Sequence, residues 1–169
     1  MELIVVCIAA LAASSLTLFS GFGLGTLLMP VIAIFFPLEL AIAMTAMVHL
    51  ANNFFKIGLL GRKADSSVLL KFGLPAVLAA FVGATLMFWL GEFQPIYVYE
   101  AFGREIQVSA LKLVIGLLII LFVALELSPA FSKIALDRKW LPLGGIISGF
   151  FGGLSGHQGA FRSMFLIKV

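Results

Sequence analysis

Apolar positions run through this chain in long unbroken stretches, without the regular polar interruptions that give a soluble helix or strand its wet face. The first stretch extends from Leu3 to Phe36 and carries no charged side chain. At about 1.5 Å of rise per residue it is too long for one straight crossing of a bilayer. It is interrupted at Ser20-Gly21-Phe22-Gly23-Leu24-Gly25. The pattern therefore predicts either a tilted, kinked helix or a helix followed by a re-entrant half-helix. A second apolar span runs from about Leu38 to Leu60, with Pro37 near its first turn, where proline is tolerated. A third runs from about Val68 to Leu90 and contains Pro75. A fourth covers Ala110 to Leu127, with Pro129 marking its end. A fifth begins near Trp140 and enters a second glycine cluster, Ser155-Gly156-His157-Gln158-Gly159-Ala160-Phe161-Arg162.

Composition places these stretches in lipid. Hydrophobic residues make up 62% of the 169 and charged residues 11%, against roughly 25% charged in ordinary soluble domains. The expected fold class is all-α: a polytopic transmembrane helical bundle with glycine-broken helices, in a cell membrane and of the bacterial inner-membrane kind. The apolar N-terminus lacks the basic flank of a secretory signal, since Glu2 alone precedes it apart from the initiating Met1. It reads as a retained first helix. The single Cys7 offers neither a disulfide nor a metal motif. The net charge of +3 resides in inter-helix loops, so no nucleic-acid partner is expected.

Those loops orient the chain. Gly61–Lys71 carries Arg62, Lys63 and Lys71, and Ser128–Lys139 carries Lys133, Arg138 and Lys139. Two spans separate them, so they share a side, and the positive-inside rule makes it the cytoplasm. The Gly91–Val108 loop, with Tyr97, Tyr99 and three glutamates, fits the outer face. Trp89 and Trp140 fall at span ends, as interfacial anchors do. The N-terminus is expected on the cytoplasmic side.

The two glycine clusters resemble each other: Ser20/Ser155, Gly21/Gly156, Met29/Met164 and Ile32/Ile167 coincide in one register. The reading is one four-span repeat over residues 1–139, its first span broken, and the beginning of a second, incomplete repeat over 140–169. A broken helix in lipid frees backbone groups that cost several kcal/mol each unless protein or a wet cavity satisfies them. Breaks placed twice point to binding of a small solute, as in transporters with discontinuous helices. The N–H groups and dipole at the start of a half-helix favour an anion. Gly21, Gly23, Gly25 and Gly156 are the backbone candidates. Close helix packing through small residues is the competing role.

Polar side chains sharpen the expectation. Thr45, His49, Asn52, Asn53 and Lys56 recur at helical spacing on one face of an otherwise apolar second span. Such groups inside a membrane face a bundle interior or a watery cavity. This stripe is rich in N–H donors, which suit an anion. Cross-helix bonding is the plainer role for His49 and Asn52, and snorkelling to the interface that for Lys56. His157, Gln158 and Arg162 add donors at the second cluster, and a guanidinium matches two oxygens of an oxyanion at once. Glu39, Lys112 and Glu126, at span ends, are expected to face headgroups. No nucleotide loop, metal-ligand cluster or nucleophile–base pair is present, so neither an enzyme nor a cofactor is expected.

The run Gly21-Phe22-Gly23-Leu24-Gly25-Thr26-Leu27-Leu28-Met29-Pro30, followed by a polar second span, resembles the sulfite exporter TauE/SafE family. Members carry a G-x-G-G-G-x-x-x-x-P element early in each half. Here Leu24 stands where the middle glycine is usual, and His157-Gln158-Gly159 and Phe165 depart from the second element. The resemblance implies two halves of about four spans and secondary transport of sulfite, sulfonates or related organic acids. It also implies a chain longer than this one, with a homo-oligomer or a second half completing it. A non-transporting assembly subunit that needs a partner chain is the alternative, and a stable partner-free monomer in detergent would count against it.

Overall fold

A computed structural model describes residues 2–20, 24–101, 103–157 and 159–166. The chain is mostly helical. Among the described residues, three helices are long and apolar enough to cross a membrane: Leu38–Leu59, Ser66–Gly91 and Ala110–Leu127. Two preceding helices, α1 (Glu2–Ser20) and α2 (Leu24–Phe35), pack against one another. Pro30 lies inside α2 and has no N–H to close the turn onto the Thr26 carbonyl. A bend at Phe36-Pro37 turns the chain into α3 (Leu38–Leu60).

The second of these, Ser66–Gly91, is one helix in three parts. α4 (Ser66–Val68) starts on Asp65, whose carboxylate accepts from the N–H groups of Ser67 at 2.8 Å and Val68 at 3.4 Å. A wider π turn follows over Leu69–Gly73, and then α5 (Leu74–Gly91). Pro75 sits at the start of α5. Its ring would crowd the carbonyl four residues earlier in a regular helix, and the wide turn immediately upstream relieves that crowding.

The outer loop corrects the all-α expectation. Strands β1 (Tyr97–Ala101) and β2 (Arg104–Val108) pair antiparallel, with Tyr97 opposite Val108 and Ala101 opposite Arg104. Aromatic and β-branched residues at Tyr97, Val98, Tyr99, Ile106 and Val108 favour strand, and Gly103 takes φ +68° at the turn. Lys112, at the start of α6 (Ala110–Leu127), donates to the Gln107 carbonyl at 2.8 Å and ties the ribbon to the next crossing.

After α6 comes a short α7 (Pro129–Ser132), then α8 (Leu141–Ser155) and α9 (Gly159–Leu166). The two basic loops do share a side: Arg138 Nη2 lies 3.3 Å from Asp65 Oδ2. α8 does not continue across. It ends at Gly156, which adopts the left-handed conformation at φ 73° that glycine alone accepts without strain. α9 then doubles back along it. The Leu136 N–H donates to the Met164 carbonyl at 2.9 Å, and the Phe165 ring fills the space over Gly144. Thus α8 and α9 form a hairpin that enters and leaves by the side of the basic loops.

Packing is closest between α5 and α8. A Cβ on Gly145, Gly149 or Gly153 would strike the backbone of Phe72, Ala76 or Ala80, and one on Gly83 would strike Phe150. The glycines recur at four-residue spacing, so one bare face of α8 lies directly on α5, as small-residue interfaces in membranes allow. The main core joins Val6 and Ala13 of α1, Leu24, Leu28, Met29 and Ile32 of α2, Ala41 and Ile42 of α3, and Leu111 and Ile115 of α6. Elsewhere the long helices present exposed side chains such as Phe54, Leu78, Phe81 and Leu117, the outward-facing set that a lipid solvent accepts.

Candidate functional site

The start of α2 and the end of α8, at the turn into α9, come together beside the middle of α3. A Cβ on Gly25 would lie 2.5 Å from the Gly156 carbonyl oxygen and 3.5 Å from His49 Nε2. Only a glycine lets these two backbones and the imidazole approach so closely. His49 stands eleven residues from each end of α3, so the contact lies at mid-helix. The first N–H groups of α2 have no acceptor within their own helix.

Four basic groups converge there. Arg162 of α9, His157 of the α8–α9 turn and Lys56 of α3 all lie near enough to His49 for their charges to act on it. His157 is 2% exposed. Its ring lies flat against Phe122 of α6, with centroids 5.7 Å apart and planes at 6°. Its Nδ1 is 2.6 Å from the Ser155 carbonyl oxygen. The Nε2 atoms of both His49 and His157 are buried and have no hydrogen-bond partner among the described residues. Buried polar atoms in folded proteins are nearly always satisfied, so two orphans side by side call for a ligand or ordered water. Arg162 is half-buried, and the ion pair among the described residues, Arg138 to Asp65, lies in the exposed loops.

Not every residue of the donor stripe reaches this place. Thr45 is buried, and its hydroxyl donates to the Ala41 carbonyl one turn back at 2.8 Å. Asn52 lies one turn from His49 on the same face of α3 and is half-buried. Asn53 instead lines, with His49, an open cavity of about 550 Å³ between α3, α5 and α8. Its other walls are small or apolar, among them Ala46, Ala80, Gly152 and Gly156. Gly21, Gly23 and Gln158 lie outside the described residues.

Glu126 corrects an expectation. It does not simply face headgroups: its Oε2 accepts from Thr26 Oγ1 at 3.1 Å. Thr26 follows Gly25 in the first turn of α2, and Phe122 precedes Glu126 by one turn of α6, on the same face. The carboxylate therefore lies against the first turn of α2, on the α6 face that carries Phe122. The signal available in the sequence was an acid within the last turn of an otherwise apolar span. The glycine face of α8 was likewise legible as the four-residue spacing of Gly145, Gly149 and Gly153.

Neither the curated proteins nor the solved structures yield a match to this chain. Residues 6–169 match the family model described as sulfite exporter TauE/SafE. With nearly the whole chain matched, and with apolar helices long enough to span a bilayer, the protein belongs to the sulfite exporter TauE/SafE family of membrane transporters for sulfite and related anions.

Proposed function

We propose that this chain carries a small oxyanion, sulfite or a simple sulfonate, through the cell membrane and holds it where the start of α2 meets the α8–α9 turn. The observation that carries this reading is that Arg162, His157 and Lys56 lie near His49, while the Nε2 atoms of both histidines are buried with no hydrogen-bond partner among the described residues. The Arg162 guanidinium, half-buried near His49, calls for a compensating negative charge. Arg162 supplies the forked donor, and the opening turns of α2 and α9 supply N–H groups and the positive end of their dipoles. Gly25 and Gly156 keep the site tight, with Gly21, Gly23 and Gln158 as further contributors. Asn52 joins His49 in lining the site, and Asn53 and the cavity beside His49 form the approach.

In this reading residues 1–139 are one repeat, and 140–169 open a second of inverted sense. α1 and α2 are then the counterpart of the α8–α9 hairpin, entering from the outer side, which reverses the orientation expected for the N-terminus. Rocking of one hairpin against the other would expose the anion alternately to either face.

The test is uptake of sulfite and methanesulfonate into proteoliposomes containing the purified chain. Arg162→Gln removes a charge-assisted bond worth about 1.5–3 kcal/mol, which corresponds to roughly a tenfold to hundredfold loss of affinity. Asn52→Ala and Asn53→Ala are expected to slow uptake less. Equal uptake by wild type and Arg162→Gln would remove the proposed site.

A further inference from the structure

The bonding of His157 fixes which ring nitrogen can meet an anion. Nδ1 lies 2.6 Å from the Ser155 carbonyl oxygen. A carbonyl only accepts, so Nδ1 carries the hydrogen. In the neutral ring Nε2 then holds a lone pair, which repels an anion. That Nε2 is buried and has no hydrogen-bond partner among the described residues. It becomes a donor only when the ring takes up a proton.

We propose that an anion bound between the α2 start and the α8–α9 turn brings a proton onto His157 Nε2, so that the transported unit is the anion together with one proton. This rests on the anion-site reading above and specifies how that site is charged. The proton comes from water on the loading side, forms the Nε2–H bond as the anion arrives, and leaves to water with the anion on the other side. For a monoanion the cycle then moves no net charge. The anion supplies the counter-charge for the imidazolium in a place where water cannot.

Each element around the ring bears on this assignment. α3 brings His49, near which Lys56 of α3 and Arg162 of α9 also lie, and α8 contributes the Ser155 carbonyl. α2 contributes Thr26, whose hydroxyl is given to Glu126 of α6. α6 also presses the Phe122 ring on the imidazole, which shields it from solvent. Glu126 is the rival proton carrier, and the Thr26 bond to its carboxylate favours His157 over it.

Calorimetric titration of the purified full chain with methanesulfonate, in buffers of differing ionisation heat, counts the protons taken up. Methanesulfonate is the anion of a strong acid and brings no proton of its own. Wild type is expected to take up close to one proton per anion, and its affinity to fall by up to about tenfold per pH unit on the alkaline side. In His157→Asn the amide still reaches the Ser155 carbonyl, so anion binding persists more weakly while proton uptake drops towards zero. Glu126→Gln keeps the wild-type uptake. Binding by wild type without proton uptake, undiminished uptake in His157→Asn, or loss of uptake in Glu126→Gln would each overturn the proposal while leaving the anion site standing. Absence of methanesulfonate binding by folded wild type would instead remove the anion site itself. Should His157→Asn fail to fold, nitrogen NMR of ring-labelled wild type decides. The chain has 2 histidines, and the His157 Nε2 signal must move from a lone-pair to an N–H position when methanesulfonate is added; an unmoved signal contradicts the assignment.

Discussion

Gly25 and Gly156 meet backbone to backbone: a Cβ placed on Gly25 would stand 2.5 Å from the Gly156 carbonyl oxygen. One glycine opens α2 and the other closes α8, so this single approach joins the two glycine elements of the chain. Gly25→Ala must push them apart. Overpacking of this kind costs about 1–3 kcal/mol, and the same shift parts the α2 start from the α8–α9 turn. The expected outcome is a lowered melting temperature and uptake reduced by more than tenfold. Gly58→Ala, on α3 where an added Cβ meets nothing within 4 Å, should be as stable as wild type or more so by about 0.5–1 kcal/mol.

The bare face of α8 makes a separate claim on stability. Gly149→Val would drive two methyl groups into the backbone of Ala76. Thermal unfolding in detergent should show a loss of about 3 kcal/mol or more, at the top of the overpacking range. Gly116→Val, on α6 with open space around it, should cost far less.

Thr26 and Glu126 give a third test. Thr26→Val keeps the side-chain shape but removes the hydroxyl donor 3.1 Å from the carboxylate. Losing a partner from a part-buried charged group costs about 1–3 kcal/mol. Glu126→Gln retains an oxygen acceptor for Thr26 and should be milder. Paired melting curves check the order.

Asp65 provides a pH dependence outside the membrane. The Ser67 and Val68 N–H groups, and then Arg138, hold its carboxyl below the usual carboxylate range. A folded-state value below the unfolded one means that the stabilisation is complete above the unfolded carboxylate range and is lost as pH falls through the folded value. Asp65→Ala should therefore lower the melting temperature at neutral pH and leave it unchanged in strong acid. A constant difference across that range would show that the cap and ion pair contribute nothing.

Much of this architecture was legible because lipid leaves few options. A run without charge from Leu3 to Leu38 must be helical and embedded, and Pro37, Pro129 and the basic loops mark where helices stop. The donor stripe pointed to His49, and the glycine clusters pointed to Gly25 and Gly156. What the sequence left open was direction. Nothing in Leu141–Leu166 says whether the chain crosses or returns, because that depends on Phe165 finding Gly144 and Met164 finding Leu136. Thr45 was misleading, since a hydroxyl in a helix can satisfy itself on the carbonyl one turn back. The strands of the outer loop were hidden by the three glutamates, whose charge marks exposure and says nothing about pairing. Glu126 was displaced from its expected place by Thr26, a contact between residues a hundred positions apart.

The account stands most directly on where the anion rests. Selenite is the selenium analogue of sulfite, and its anomalous scattering locates it without ambiguity in crystals of the chain. The expected result is a single strong peak within hydrogen-bonding reach of Arg162 and His157, between Gly25 and Gly156, that disappears in Arg162→Gln. A peak elsewhere in the bundle, or none at a concentration that saturates uptake, would contradict it.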